Sequence, residues 1–168
     1  VSPRVAALYR ATDRVSIWGS LSNGFRAPTL KELYSPFRVG AVLTLSNETL
    51  GPERLIGQEA GISVAATSNM TVRGTVFNNR VNDPIANVTL TSTPTLITRQ
   101  RQNAAGTTRS AGIEIEGETS FKYFSLSAGY LYVDPIVKSD LPGAILVGGA
   151  STPGNLNIPQ VARQQFTF

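Results

Sequence analysis

The side chains able to do chemistry in this sequence are carboxylates, arginines and a few aromatics, because it contains neither histidine nor cysteine. Their absence removes the commonest general base, the commonest metal ligand, thiolate metal sites and disulfides. A row of glutamates, Glu114, Glu116 and Glu118, is left as the best acid–base material. In an extended chain this spacing puts all three on one face. Two carboxylates facing each other at about 5–9.5 Å are what a glycosidase requires. A solvated polar face requires the same spacing and nothing more. The stretch Gly148-Gly149-Ala150-Ser151-Thr152-Pro153-Gly154 has the glycine content of a phosphate cradle, but no Gly-Lys-Ser/Thr step and no helix pattern follows it. It reads as a loop, and the balance falls against an enzyme.

Extended segments with a period of two must position these residues. The first covers about 4–10, and a turn at 12–14 leads to 15–22, where Val15, Ile17 and Leu21 alternate with Ser16, Ser20 and Ser22. An irregular stretch rich in Gly, Pro and Asn follows over about 23–52. The third strand is expected over 56–66, a turn at 67–69, and the fourth over 70–81 with a possible extension through 85–90. Its partner returns over about 96–119, where Ile113 and Ile115 face one way and the three glutamates the other. A turn at 120–122 gives a sixth strand over 123–133, a long loop spans 134–157, and a seventh strand covers 159–168.

Short turns thus alternate with long connections, as in up-and-down outer-membrane barrels with tight turns at one end and elaborate loops at the other. A soluble Greek-key sandwich gives no reason for that regularity. Tyr9, Trp18, Tyr123, Phe124 and Phe166 fall near the short-turn ends, where a headgroup girdle would lie. Charged residues make up 15% of the chain, against roughly 25% in soluble domains. The net charge of +4 is carried mostly by arginine, without the dense basic cluster interleaved with aromatics that nucleic acid would call for. No apolar run approaches the roughly 20 residues of a membrane helix, whereas a barrel strand needs only about 9–11. The opening Val1-Ser2-Pro3-Arg4 carries no initiator Met or signal pattern, so an internal fragment is expected.

Four stretches carry a family resemblance. Gly24-Phe25-Arg26-Ala27-Pro28-Thr29-Leu30-Lys31-Glu32-Leu33-Tyr34 resembles the segment of TonB-dependent outer-membrane receptors that leaves a barrel strand and opens a large extracellular loop. Asn47-Glu48-Thr49-Leu50-Gly51-Pro52-Glu53-Arg54, with Gln58-Glu59-Ala60-Gly61, is similar to the family's approach to the next strand. Phe77 to Ile85 and Asn103-Ala104-Ala105-Gly106 with Ser110-Ala111-Gly112-Ile113-Glu114 follow in the family's order, the latter with one extra residue. The resemblance covers about 2–168. It implies an all-β fold, an antiparallel up-and-down transmembrane β-barrel. Residues 1–168 would be a partial barrel domain of about seven strands, lacking the plug domain and the remaining strands.

The resemblance also implies function. The parent protein would sit in the bacterial outer membrane, among its lipids, and take up an extracellular small-molecule chelate, a ferric siderophore or a cobalamin-like ligand. The TonB energy-transducing complex would act through the protein's own plug domain. No cofactor is called for. Glu53 and Glu114 are the expected plug contacts, with Glu59 as a third. Arg26 either pairs with a plug carboxylate or belongs to a strand end broken by Pro28. Tyr34, Phe37 and Arg38 in the first long loop either touch ligand or pack on the loop's own neighbours. A passive porin would share the strands and turns but not this order of motifs, and a soluble carbohydrate-binding domain would share only the alternation.

Seven strands leave two unpaired edges, and each unsatisfied backbone group in lipid costs several kcal/mol. Residues 1–168 made alone are therefore expected neither to fold stably nor to transport. A sharp, reversible thermal transition of the isolated segment by circular dichroism would overturn this.

Overall fold

The computed structural model describes residues 1–103, 106–139, 154–157 and 161–168. In chain order the elements are β1 (Arg4–Arg10), β2 (Val15–Arg26), α1 (Leu30–Tyr34), β3 (Phe37–Val39), β4 (Val42–Leu45), β5 (Glu53–Ala65), β6 (Met70–Asn82), β7 (Ile85–Ser92), β8 (Ile97–Asn103), β9 (Gly106–Ser120), β10 (Ser125–Ser139), β11 (Gly154–Asn157) and β12 (Gln164–Thr167). The main sheet runs β1-β2-β5-β6-β9-β10-β11, with β12 also on β10, and every pairing in it is antiparallel. It is an open arc of an up-and-down barrel, as the alternation predicts.

The tight turns arise where polar residues interrupt the alternation. Ala11 N–H donates to the Val15 carbonyl (2.9 Å), Thr67 N–H to that of Met70 (3.3 Å) and Phe121 N–H to that of Phe124 (2.7 Å). All three turns lie at the same end of the sheet. At the other end the connections are long, and they build structure of their own. Residues predicted as an irregular stretch hold α1 and the hairpin β3–β4, turned at Gly40, whose φ of 57° is open to glycine without strain. These elements join β7 and β8 in a second, four-stranded sheet of order β3-β4-β8-β7, with β4 and β8 parallel.

The expected return strand over 96–119 is therefore two strands. β8 lies in the second sheet and β9 in the first, and the possible extension at 85–90 is β7, also in the second sheet. The chain turns out of the first sheet at Asp83, where φ is 53°, a conformation that Asp tolerates better than most residues. β10 extends to Ser139, into the expected loop, while residues 140–153 lie outside the described residues. The last expected strand shortens to β12.

Register sorts the side chains into two faces. Outward are Val5, Ile17, Leu21, Ile62, Val72, Val76, Ile113, Ile115, Tyr130 and Tyr132, each opposite another member of the same face. Inward are Ser16, Ser20, Ser22, Glu59, Ser63, Thr71, Arg73, Thr75, Glu114, Glu116 and Glu118. The apolar face is bare: Leu21 is 60% exposed, Val76 52% and Ile115 45%. Buried apolar side chains are few among the described residues: Leu50, Ala86, Val133, Val137 and Pro135. Among the described residues no conventional core lies beneath this sheet. An exposed apolar face of this extent needs a partner, and its strands of 12 to 15 residues exceed the length that a barrel strand needs to cross a bilayer.

Trp18 departs from the expected girdle. It alternates with Ile17 and so faces inward, across from Gly61. A Cβ on Gly61 would meet the indole at 2.6 Å. Phe77 covers Gly112 across β6 and β9 in the same way. Both glycines give an inward aromatic a flat seat on the neighbouring strand. Tyr9 and Phe166 do face outward, Phe166 against Tyr130 with centroids 4.8 Å apart.

Gly112→Ala in the intact protein is expected to cost about 1–3 kcal/mol through overpacking, since its Cβ would run into the Tyr132 carbonyl oxygen and the Phe77 ring. Gly117→Ala, with nothing within 4 Å, should stay within about 0.5 kcal/mol of wild type. Denaturant midpoints of the two variants check the pair, and equal midpoints would contradict the packing described.

Candidate functional site

All four motif stretches meet at the long-loop end of the sheet. Arg26 ends β2 and Glu53 begins β5, and the register sets them opposite each other. Arg26 Nε donates to Glu53 Oε2 at 2.5 Å, and Arg26 Nη1 donates to Glu32 Oε2 at 3.1 Å. Glu53 Oε1 accepts the backbone N–H of Ile85 at 2.6 Å. One guanidinium thus ties the end of β2 to α1 and to β5, and Glu53 ties β5 to the start of β7.

The short helix is placed by its first residues. Pro28 ends the strand, and Thr29-Leu30-Lys31-Glu32 is a capping box. The Thr29 hydroxyl accepts from Glu32 N–H at 3.2 Å, and Glu32 Oε2 accepts from Thr29 N–H at 2.7 Å. The Thr29 N–H, its hydroxyl and Arg26 together outweigh burial and hold the Glu32 carboxyl down at about 2. At Glu53 burial pushes upward, but hydrogen bonds from Arg26 and Ile85 N–H overcome it and keep the group below its ordinary value. Both carboxylates stand at the loop-side strand end, beyond the outward apolar rows.

Two asparagines complete the junction. Asn103 Nδ2 donates to the carbonyls of Gly51 and Asp83, both at 3.0 Å, and its Oδ1 accepts from Gly51 N–H at 2.8 Å. Asn47 Nδ2 donates to the Arg101 carbonyl at 2.9 Å, while its Oδ1 accepts from Thr49 N–H. Sequence reasoning did not single out Glu32, Asn47 or Asn103 as site residues. The capping-box spacing at Thr29 and Glu32 was a readable signal for the first. The asparagines act on chain more than fifty residues away, and no local pattern marks that.

The loop candidates sit on this platform. Tyr34 is 58% exposed at the end of α1. Phe37 is half-buried, with Lys31 Nζ 5.1 Å and the Arg101 guanidinium 5.2 Å from its ring centre. Arg38 is exposed and folds back to donate to the Gly40 carbonyl at 2.9 Å.

Glu59 and Glu114 lie elsewhere, on the inward face of β5 and β9. Glu59 accepts a long hydrogen bond from the Ser20 hydroxyl (3.4 Å). Glu114 has no ion pair or hydrogen bond among the described residues, and it lines a cleft of about 370 Å³ with Glu116, Glu118, Arg73 and Leu131. Glu116 pairs with Arg73 at 3.6 Å. The cross-strand neighbours of the three glutamates are Thr75, Arg73 and Thr71 on β6 and Leu131, Gly129 and Ser127 on β10. No carboxylate stands opposite them on the neighbouring strands, and Glu116, which shares the face of Glu114, is paired with Arg73. The described residues contain no cluster of three metal-ligating side chains.

A family model described as TonB dependent receptor-like, beta-barrel, matches residues 1–168. Among curated proteins none matches. Solved structures do. The siderophore receptor PirA from Pseudomonas aeruginosa aligns with TM-score 0.66 and 17% identity over 82% of this chain and 30% of that one. The hemophore receptor HasR from Serratia marcescens, in complex with its hemophore HasA and heme, aligns with TM-score 0.66 and 17% identity over 79% and 22%. The FrpB iron transporter from Neisseria meningitidis, F3-3 variant, aligns with TM-score 0.57 and 18% identity over 81% and 20%. At these identities the likeness is one of fold. The chain spans 20–30% of the length of these three structures.

The linked carboxylates set a pH dependence. Glu32 is held at about 2 in the folded protein against an ordinary value near 4.3, so its contribution is fully present above that value and fades as pH falls toward 2. Limited proteolysis within 30–45 of the intact protein should accelerate over this window. Thr29→Ala should accelerate it about fivefold already at pH 7, through loss of a cap worth roughly 1 kcal/mol. Equal cleavage rates at pH 7 and pH 3 would contradict the link.

Proposed function

The chain belongs to the TonB-dependent receptor β-barrel family, and from that premise we propose that it forms one sector of the outer-membrane wall of a receptor for TonB-driven nutrient uptake. The observation that carries this reading is the bare apolar face on strands long enough to cross a bilayer, beneath an elaborated loop-side platform. The family is one of transporters rather than enzymes. The three solved structures above are named for a siderophore, a hemophore with heme, and iron. They favour an iron chelate over a cobalamin-like ligand as cargo.

In this reading the inward face meets the protein's own plug domain. Glu114, without a partner among the described residues, and Glu59, held there by one long hydrogen bond, offer the plug two carboxylates for its cationic or N–H groups. Arg26 and Glu53 already satisfy each other, so they would touch the plug through their remaining donor and acceptor positions. Enclosure by the plug would bury Glu114, where a carboxylate without a partner is costly, and this favours Glu114 as a contact made in the assembled barrel. Tyr34 and Arg38, exposed on the anchored platform, would meet the chelate from outside, with Phe37 supporting them from beneath its two cations.

Cells carrying the intact protein should take up a radiolabelled ferric siderophore only when TonB is functional. Glu114→Gln should loosen the plug, read as increased sensitivity to a large antibiotic, while leaving the protein in the outer membrane. Ligand flux that persists undiminished without TonB would point to a passive channel and sink the proposal.

A further inference from the structure

The outward face changes chemistry above its apolar rows. Arg80 on β6 stands directly across from Arg109 on β9. One row farther from the short turns, Arg54 on β5 faces Asn82, which faces Thr107. All three arginines are exposed. Like charges directly opposite in a sheet repel, so the Arg80–Arg109 pair is unfavourable without a counter-ion. Arg54 and Arg80 have no ion pair or hydrogen bond among the described residues, and Arg109 donates one hydrogen bond, from Nε to Asn78 Oδ1 at 2.7 Å.

Nothing acidic on these strands balances them. The carboxylates of β5 and β9, Glu53, Glu59, Glu114, Glu116 and Glu118, all lie on the opposite face, and β6 has none. Asp134 of β10 does face outward, one row below, and it is paired with Arg163 at 3.2 Å. The height is informative as well. Ten residues separate Met70 from Arg80 along β6. At about 3.3 Å per residue and a tilt near 40° that is about 25 Å, the height of a barrel's apolar band. The three cations therefore stand where hydrocarbon gives way to headgroups on the long-loop side.

We infer that Arg54, Arg80 and Arg109 form a binding site for the phosphate of a membrane-lipid headgroup in the leaflet on the long-loop side, with Asn78 and Asn82 beside it. The inference rests on the proposed membrane placement of the strands. A phosphate accepts the charge-assisted hydrogen bonds that guanidinium groups offer, and it turns the repulsion between Arg80 and Arg109 into a shared attraction.

The test uses the intact protein in phosphatidylcholine vesicles doped with bisphosphorylated lipid A. Lipid A retained after purification is measured by mass spectrometry for wild type, R54Q and the double variant R80Q/R109Q. The double variant is expected to retain about tenfold less, and dephosphorylated lipid A should not be retained by either. In lipid-free detergent the double variant should melt no lower than wild type, because it removes a like-charge pair. Equal retention by wild type and variant, or of phosphorylated and dephosphorylated lipid, overturns the site. A lower melting point in lipid-free detergent also counts against it, because the arginines would then be structural. Displacement by millimolar inorganic phosphate as effective as by lipid A would overturn the lipid as occupant. A wild type that floats with no vesicle at all would instead overturn the membrane placement itself.

Discussion

A backbone amide carried into hydrocarbon has no water to bond, and the rest of this structure follows from that constraint. The strands that expose apolar side chains pair continuously from β1 through β10, with registers that run nearly the whole length of each strand. Helix and irregular chain occur among the described residues only beyond the apolar rows or in the turns. The long connections can bend, cap and change sheet because they stand where unpaired groups have other partners. The tight turns at the opposite end keep successive strands adjacent and leave little backbone unaccompanied.

The same sheet separates two chemistries by alternation alone. Outward residues are aliphatic and aromatic through the middle of each strand and become Asn and Arg above it. Inward residues include Ser, Thr, carboxylates and the arginines Arg4, Arg10, Arg26 and Arg73, with Trp18 and Phe77 lying over glycines of the next strand. All five carboxylates of β5 and β9 point inward, while Arg54, Arg80 and Arg109 point outward. A wall built this way has an inner face that mixes carboxylates with arginines and an outer face that carries cations only at its long-loop end, without a dedicated element for either.

The loop-side junction makes the second sheet an extension of the first. Arg26, Glu32 and Glu53 form one linked group, and Asn103 grips both Gly51 and Asp83. Motifs spread over some eighty residues therefore serve one local purpose, to hold the platform bearing Tyr34, Phe37 and Arg38 at a set position above the wall. Glu53, expected from the sequence to contact an enclosed domain, and Arg26, expected either to do so or to belong to a strand end, first of all satisfy each other.

The sequence by itself determined β1, β2, β5, β6 and the bodies of β9 and β10, their tight turns and which side chains share a face. Period-two alternation and turn chemistry act over a few residues and need no distant partner. Trp18 was legible in this way too, since it alternates with Ile17; grouping the aromatics by height rather than by face put it in the girdle. Only the tertiary structure decided that 85–103 leave the main sheet, that β4 runs parallel to β8, and that Arg26 meets Glu53 while Asn103 holds Gly51. Those contacts join residues 27 and 52 positions apart. Such pairings depend on which strands become neighbours, and a local pattern of polar and apolar residues does not encode that choice.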